Sequence, residues 1–256
     1  MSWFDTHCHL DSEHHPDGAE PILERARAAG VTAFLCVGVG GMPQAEQALA
    51  LAERHADVFA SAGVHPHDAE RDGDLDFGAL LAHPRLLAVG EVGLDYHYDH
   101  SPRERQAEVF RRFIAVARSV QKPLIIHTRS APEDTLAILE GEGARDAGGV
   151  IHCFSEDRAF ATRALDLGFY LSFSGIVTFK TARAIQEVAA WAPKDRVLVE
   201  TDSPYLAPVP LRGKRCEPAF VVHTGKYVAG LRGTPEADFA ELTHENARRL
   251  FRVAAT

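Results

Sequence analysis

Eight short apolar, β-branched stretches recur along the chain with amphipathic stretches between them, and this alternation restricts the fold more than any other feature. Strands are predicted at about Trp3–His7, Thr32–Val37, Phe59–Gly63, Leu87–Glu91, Pro123–His127, Val150–Cys153, Phe169–Phe173 and Val197–Asp202. Helices are predicted near Glu20–Ala29, Pro43–Arg54, Leu75–Ala82, Pro102–Val120, Pro132–Glu142, Asp157–Leu167 and Lys180–Trp191, with two more after the last strand. Strand, helix and strand in regular succession are the pattern of a parallel sheet. Eight such units in 256 residues favour an α/β fold of the TIM-type (β/α)8 barrel class, with an additional C-terminal helix, over an open doubly wound sheet. No low-complexity run, repeat or linker divides the chain, so residues 1–256 read as a single domain.

Several helix starts are marked locally. Ser101-Pro102-Arg103-Glu104 has the spacing of a capping box with proline at the first helical position, and Ser130-Ala131-Pro132-Glu133 repeats the Ser-x-x-Glu spacing. Thr234-Pro235-Glu236 opens the last helix in the same style. Within the fourth helix Phe110, Phe113, Ile114 and Ala117 fall at i, i+3, i+4 and i+7, one apolar stripe for a sheet to cover.

Charge and cysteine content narrow the function classes. A formal charge of −9 argues against a general affinity for polyanions, so a phosphate-bearing substrate would need metal ions or a basic loop. The four cysteines, Cys8, Cys36, Cys153 and Cys216, lie far apart, which excludes a zinc ribbon and offers no disulfide framework. No basic region precedes a long apolar run at the amino terminus and no stretch approaches membrane-spanning length. A cytoplasmic monomer with no membrane contact is the expectation.

In a (β/α)8 barrel the functional residues stand where strands give way to loops, at the carboxyl-terminal face. Here His7 and His9 sit two apart on the first strand, so their side chains share a face. His65 and His67 follow strand three, Glu91 ends strand four, His127 ends strand five, His152 lies in strand six and Asp202 ends strand eight. Singly, each has a plain alternative: a strand-end histidine can hydrogen-bond a loop, and a carboxylate can cap a helix. Together they imply cations, because ionisable groups crowded at one rim are costly without a neutralising charge. His7, His9, His127 and His152 with Glu91 and Asp202 are enough for two divalent ions, with Glu91 on the central strand as the natural bridge. Mixed nitrogen and oxygen donors suit zinc or manganese, and magnesium prefers more oxygen, so the metal stays open.

The segments Phe4-Asp5-Thr6-His7-Cys8-His9-Leu10-Asp11, Ala62-Gly63-Val64-His65-Pro66-His67 and Val89-Gly90-Glu91-Val92-Gly93-Leu94-Asp95-Tyr96 go further than spacing. With Pro123-Leu124-Ile125-Ile126-His127, Val150-Ile151-His152-Cys153-Phe154-Ser155, Glu200-Thr201-Asp202-Ser203-Pro204-Tyr205-Leu206 and Arg212-Gly213-Lys214-Arg215, the chain resembles the TatD-related metal-dependent hydrolases of the amidohydrolase superfamily. The resemblance implies that His7, His9, Glu91 and Asp202 hold one ion and Glu91, His127 and His152 the other. No lysine stands near Glu91, which separates this branch from those bridged by a carbamylated lysine. Cys216 departs from the family, which often has asparagine after the Arg-Gly-Lys-Arg run, and a polar role at that position is in doubt.

The resemblance also implies deoxyribonuclease activity, commonly from the 3′ end of DNA, with RNA as a further possible substrate. On that reading a metal-activated water attacks phosphorus, with Asp202 accepting its proton and Glu91 and His65 completing the catalytic set. His65 is the candidate donor to a phosphate oxygen, and Arg129, Arg212, Lys214 and Arg215 supply positive charge at the mouth or form a solvated surface. Tyr96 is a candidate base-stacking ring. Glu200, two residues before Asp202, is a candidate to orient a ligand from behind. Two alternatives stand beside this: hydrolysis of a small amide, ester or aminoacyl-tRNA-type bond on the same metal site, and a non-catalytic metal-binding scaffold. The arginine and lysine residues around the mouth separate the first from a nuclease, since a neutral amide does not need them.

Overall fold

The computed structural model describes residues 1–254. Its first half runs β1 Trp3–Cys8, α1 Glu20–Ala28, β2 Val31–Gly38, α2 Met42–Arg54, β3 Val58–Ala62, the single-turn helices α3 Ala69–Asp72 and α4 Gly78–Leu81, β4 Leu86–Asp95 and α5 Arg103–Val120. It continues with β5 Leu124–Arg129, α6 Pro132–Gly141, β6 Gly149–Ile151, α7 Arg158–Asp166, β7 Tyr170–Phe173, α8 Arg183–Trp191, β8 Val197–Val199, α9 Val221–Leu231 and α10 Glu236–Phe251. The strands follow one another in the sheet in the order β1 to β8. Beyond β8 the chain returns to β1: the Asp202 N–H donates to the His7 carbonyl, and the His9 N–H to the Ser203 carbonyl, each at 2.9 Å. Sequential parallel order with the last strand meeting the first is the (β/α)8 barrel expected from the sequence. Helix α9 completes the eighth unit and α10 is the additional one.

The residues fall into two compact units, one made of Met1–Cys36, His152–Ala161 and the chain from Tyr170 onward, the other of Val37–Ile151 and Thr162–Phe169. In the first, α10 lays Phe239 against Trp3 and Phe251 against Phe4, with ring centroids 6.4 and 6.1 Å apart. Asn246 ties the same helix to the start of β8 by donating to the Lys194 and Val197 carbonyls at 2.8 and 2.9 Å. Gly225 in α9 is required by Trp3, because a Cβ there would lie 2.2 Å from the indole ring.

In the second unit the apolar stripe of α5 behaves as its spacing predicts: Phe110, Phe113, Ile114 and Ala117 are all buried. Removing a side chain of this size from water contributes about 1.5–3 kcal/mol. Gly93 lets β4 run close beside β5, since a Cβ on it would meet the His127 carbonyl oxygen at 2.0 Å.

The structure departs from the sequence reading in local detail. The helix expected at Leu75–Ala82 is only the single turn α4, because the Leu75 N–H closes a turn on the Asp72 carbonyl and the Asp76 carboxylate takes the Gly78 N–H at 2.8 Å; α3 lies before that range. The capping boxes do not form: prolines 102 and 235 and Ala131 occupy the cap positions, and no side chain caps α5, α6 or α10. Ser101 instead donates to the His67 carbonyl at 2.8 Å and accepts the Glu70 N–H at 3.1 Å. Strand β4 is longer than expected, reaching Asp95, whereas β6 and β8 stop at Ile151 and Val199. His152 and Asp202 therefore stand just past their strands. No helix among the described residues is long and apolar enough to cross a membrane.

Candidate metal centre

In the first unit the alternation of β1 brings His7 and His9 together, with ring centroids 5.1 Å apart. Asp202 joins them: its Oδ1 lies 3.8 Å from His7 Nε2 and 3.6 Å from His9 Nε2. The three offer ligand atoms that all lie within 4.8 Å of one another. These separations exceed a hydrogen bond and suit nitrogen and oxygen donors placed about 2.0–2.2 Å from a shared ion. Burial pushes the Asp202 carboxyl up, but the His9 ring and the nearby His7 and His152 outweigh it and hold the group below its ordinary range. It is a carboxylate at neutral pH.

His152 stacks on His7, rings 4.0 Å apart and tilted by 14°. Its Nδ1 faces Glu200 Oε1 at 3.2 Å, so a proton on Nδ1 leaves the Nε2 lone pair for a cation. Strand alternation does not put Glu200 there, since β8 has already ended. The segment is held from below by Asp5, which bonds the Thr201 N–H at 2.8 Å and the Thr201 hydroxyl at 2.6 Å. Burial lifts Asp5 to about 8, so at neutral pH it is a clamp on the Asp202 segment and not a charge for a cation.

In the second unit Glu91 projects from β4, and its Oε1 lies 2.8 Å from His127 Nδ1 and 3.6 Å from His65 Nε2. The strand continues four residues to Asp95, whose Oδ2 lies 2.8 Å from His67 Nε2 and 3.3 Å from His127 Nε2. Burial pushes Asp95 up, but hydrogen bonds from His127, His67 and the Tyr98 backbone hold it far below the usual carboxylate range. His127 thus stands between two carboxylates, its Nδ1 within hydrogen-bond distance of Glu91 and its Nε2 facing Asp95, and with the proton on Nε2 its Nδ1 would be the atom to share a cation with Glu91. His65 differs. The His67 backbone N–H donates to His65 Nδ1 at 3.2 Å, so the ring proton sits on Nε2, the atom facing Glu91. That tautomer makes His65 a hydrogen-bond donor and a poor metal ligand, although its position groups it with Glu91 and His127.

The expected substrate contacts are less uniform. Tyr96 donates its phenol to Asp134 Oδ2 at 2.8 Å and carries the Arg103 guanidinium 4.4 Å over its ring. Arg129 lies 4.6 Å over Tyr98, and Arg212 lies 4.2 Å over Phe179. Lys214 and Arg215 are exposed. Asp95 was open to a sequence reading, since an even spacing of four from Glu91 puts both on one face of β4. The sequence reading missed the chain from Asp11 through His14 to Tyr205, in which His14 Nδ1 lies 2.7 Å from Asp11 Oδ2 and Nε2 lies 3.0 Å from the Tyr205 hydroxyl. No local spacing joins residues 14 and 205.

The donor chemistry fits divalent metal in each unit: neutral imidazoles with lone pairs, carboxylates held ionised, and further carboxylates fixing the tautomers. Comparison with known proteins agrees. The family described as TatD-related DNase matches residues 4–252. The uncharacterized metal-dependent hydrolase YcfH of Escherichia coli (strain K12) is 45% identical over 100% of this chain and 98% of its own. The 3′-5′ ssDNA/RNA exonuclease TatD of Erwinia tasmaniensis is 34% identical over 98% of this chain and 100% of its own. The crystal structure of YJJV, a TatD homolog from Escherichia coli K12, superposes with a TM-score of 0.91 at 28% identity, covering 98% of each chain. The chain belongs to the TatD-related DNase family and is a metal-dependent hydrolase.

Proposed function

We propose that the protein is a phosphodiesterase acting on single-stranded nucleic acid, DNA or RNA, and removing nucleotides from the 3′ end. The relative named a 3′-5′ ssDNA/RNA exonuclease supports the substrate class. The observation that carries the reading is the division of labour among the histidines: His7, His9, His127 and His152 can present lone pairs, whereas His65 presents an N–H. A site built only to hold cations has no use for the donor. A site that must also grip an anionic phosphate oxygen does.

His7, His9, Glu91 and Asp202 would hold one ion and Glu91, His127 and His152 a second, zinc, manganese or magnesium. Bound there, divalent ions supply Lewis-acid charge and lower the pKa of water. The protein's own part is positional. Asp202, kept ionised by its histidine neighbours, takes the proton of the attacking water. His65 Nε2–H donates to a phosphate oxygen and orients the diester. Glu200 and Asp95 fix the rings of His152 and His127. Arg129, Arg212, Lys214 and Arg215 raise the local concentration of a polyanion that the overall charge would repel.

The test is incubation of metal-reconstituted protein with end-labelled single- and double-stranded oligonucleotides, each blocked at one end or the other, with manganese or magnesium added. Shortening from an open 3′ end, lost when the 3′ end is blocked, is the expected result. Asp202→Asn should lower turnover by at least about a hundredfold with the fold intact, as removal of a general base does. Near-normal cleavage by that variant would refute the assignment.

A further inference from the structure

Tyr205 is 51% exposed although it stands three residues from Asp202 and edge-on to His9, ring centroids 6.3 Å apart and planes at 71°. Its other ring neighbour, His14, also meets it edge-on, at 84°. Neither neighbour buries the ring, and about half of the residue's surface remains open to solvent. The hydroxyl is anchored. Asp11, only 7% exposed, accepts the His14 N–H and Glu13 N–H at 3.1 and 3.0 Å with Oδ1 and pairs its Oδ2 with His14 Nδ1 at 2.7 Å. The other ring nitrogen of His14, Nε2, meets the Tyr205 hydroxyl at 3.0 Å. The Tyr205 N–H is tied back to the Asp202 carbonyl at 2.9 Å. A half-exposed aromatic ring fixed at its hydroxyl and its backbone, three residues from Asp202, has the form of a stacking platform. The tyrosine expected from the sequence to do this, Tyr96, is covered by Arg103 and engaged by Asp134. Tyr98 carries Arg129 on its ring.

We propose that Tyr205 stacks on the unpaired terminal base of a single-stranded substrate, and that Asp11 and His14 are positioning residues that hold its ring at the angle required. The ligand class is a planar heteroaromatic base carried on a phosphodiester. The proposal deepens the nucleic-acid reading above and rests on it.

The experiment measures binding of a single-stranded oligonucleotide with a non-hydrolysable terminal linkage, its 3′ residue either 2-aminopurine or abasic. In the wild-type protein 2-aminopurine fluorescence should be quenched, and the base-bearing strand should bind about tenfold more tightly than the abasic one, within the range for one base stacked on an aromatic ring. Tyr205→Phe, which keeps the π face but loses the hydroxyl anchor, should keep quenching with a preference reduced severalfold. Tyr205→Leu, which fills similar space without a π face, should lose both while binding the abasic strand as before. His14→Ala should reduce the preference severalfold. Equal preference in wild type and Tyr205→Leu overturns the platform, and so does equal weakening of both strands by Tyr205→Leu. Hydrolysis of the unmodified strand by wild type, run alongside, separates the two claims: cleavage without a Tyr205-dependent preference overturns the platform alone, and neither cleavage nor binding overturns both.

Discussion

His152 Nδ1 lies 3.2 Å from Glu200 Oε1, and that same oxygen takes the Cys153 N–H at 2.7 Å. A single buried carboxylate thus fixes both the ring tautomer of His152 and the turn that carries it. Glu200→Gln keeps the shape and the backbone contact but offers less reason for the proton to stay on Nδ1. Metal affinity should fall about 10- to 100-fold, the usual cost of losing a carboxylate behind a ligating histidine. Calorimetric titration with manganese checks this. High metal concentration should restore activity, which loss of a purely structural group would not allow.

Gly93→Ala tests how tightly β4 must approach β5. The new Cβ would lie 2.0 Å from the His127 carbonyl oxygen, and the residue has φ of +146°. Both the clash and the conformation oppose a side chain, so a loss of about 1–3 kcal/mol is expected. In a chain of this size each kcal/mol lowers the melting temperature by about 2–4 °C. Thermal unfolding followed by circular dichroism measures the fall, and an unchanged melting temperature would mean that the strands separate without cost.

Acid should expose the contribution of Asp11. Burial pushes its carboxyl up, but bonds from the His14 ring and backbone, with the charges of His14 and His9, bring it to about 2. A carboxyl depressed on folding stabilises the native state above its unfolded pKa, about 3.9, and loses that effect as pH falls toward 2. The stability advantage of wild type over Asp11→Asn, from urea unfolding, should therefore be full at pH 5 and shrink steadily below pH 4. A constant difference across that interval would contradict the assignment.

Much of the fold was legible because it rests on periodicity. The stripe of Phe110, Phe113, Ile114 and Ala117 and the His7–His9 pair follow from the repeat of a helix and of a strand, and each is buried. Ser101 was misread because a side chain that matches a capping pattern can be claimed by tertiary partners, here His67 and Glu70. Glu200 reached its place behind His152 through a chain path held by Asp5, not through the strand alternation that first suggested it. Tyr205 and His14 were hidden because their contact spans 191 positions and no pattern encodes it.

Whether His7, His9, Glu91, His127, His152 and Asp202 hold two cations decides whether the proposed two-metal reading stands. Elemental analysis of protein stripped with chelator and dialysed against manganese counts them directly. Wild type should retain two manganese ions per chain, His9→Ala no more than one, and Glu91→Gln fewer than either site alone would give. Full occupancy in Glu91→Gln, or none in wild type, would contradict it.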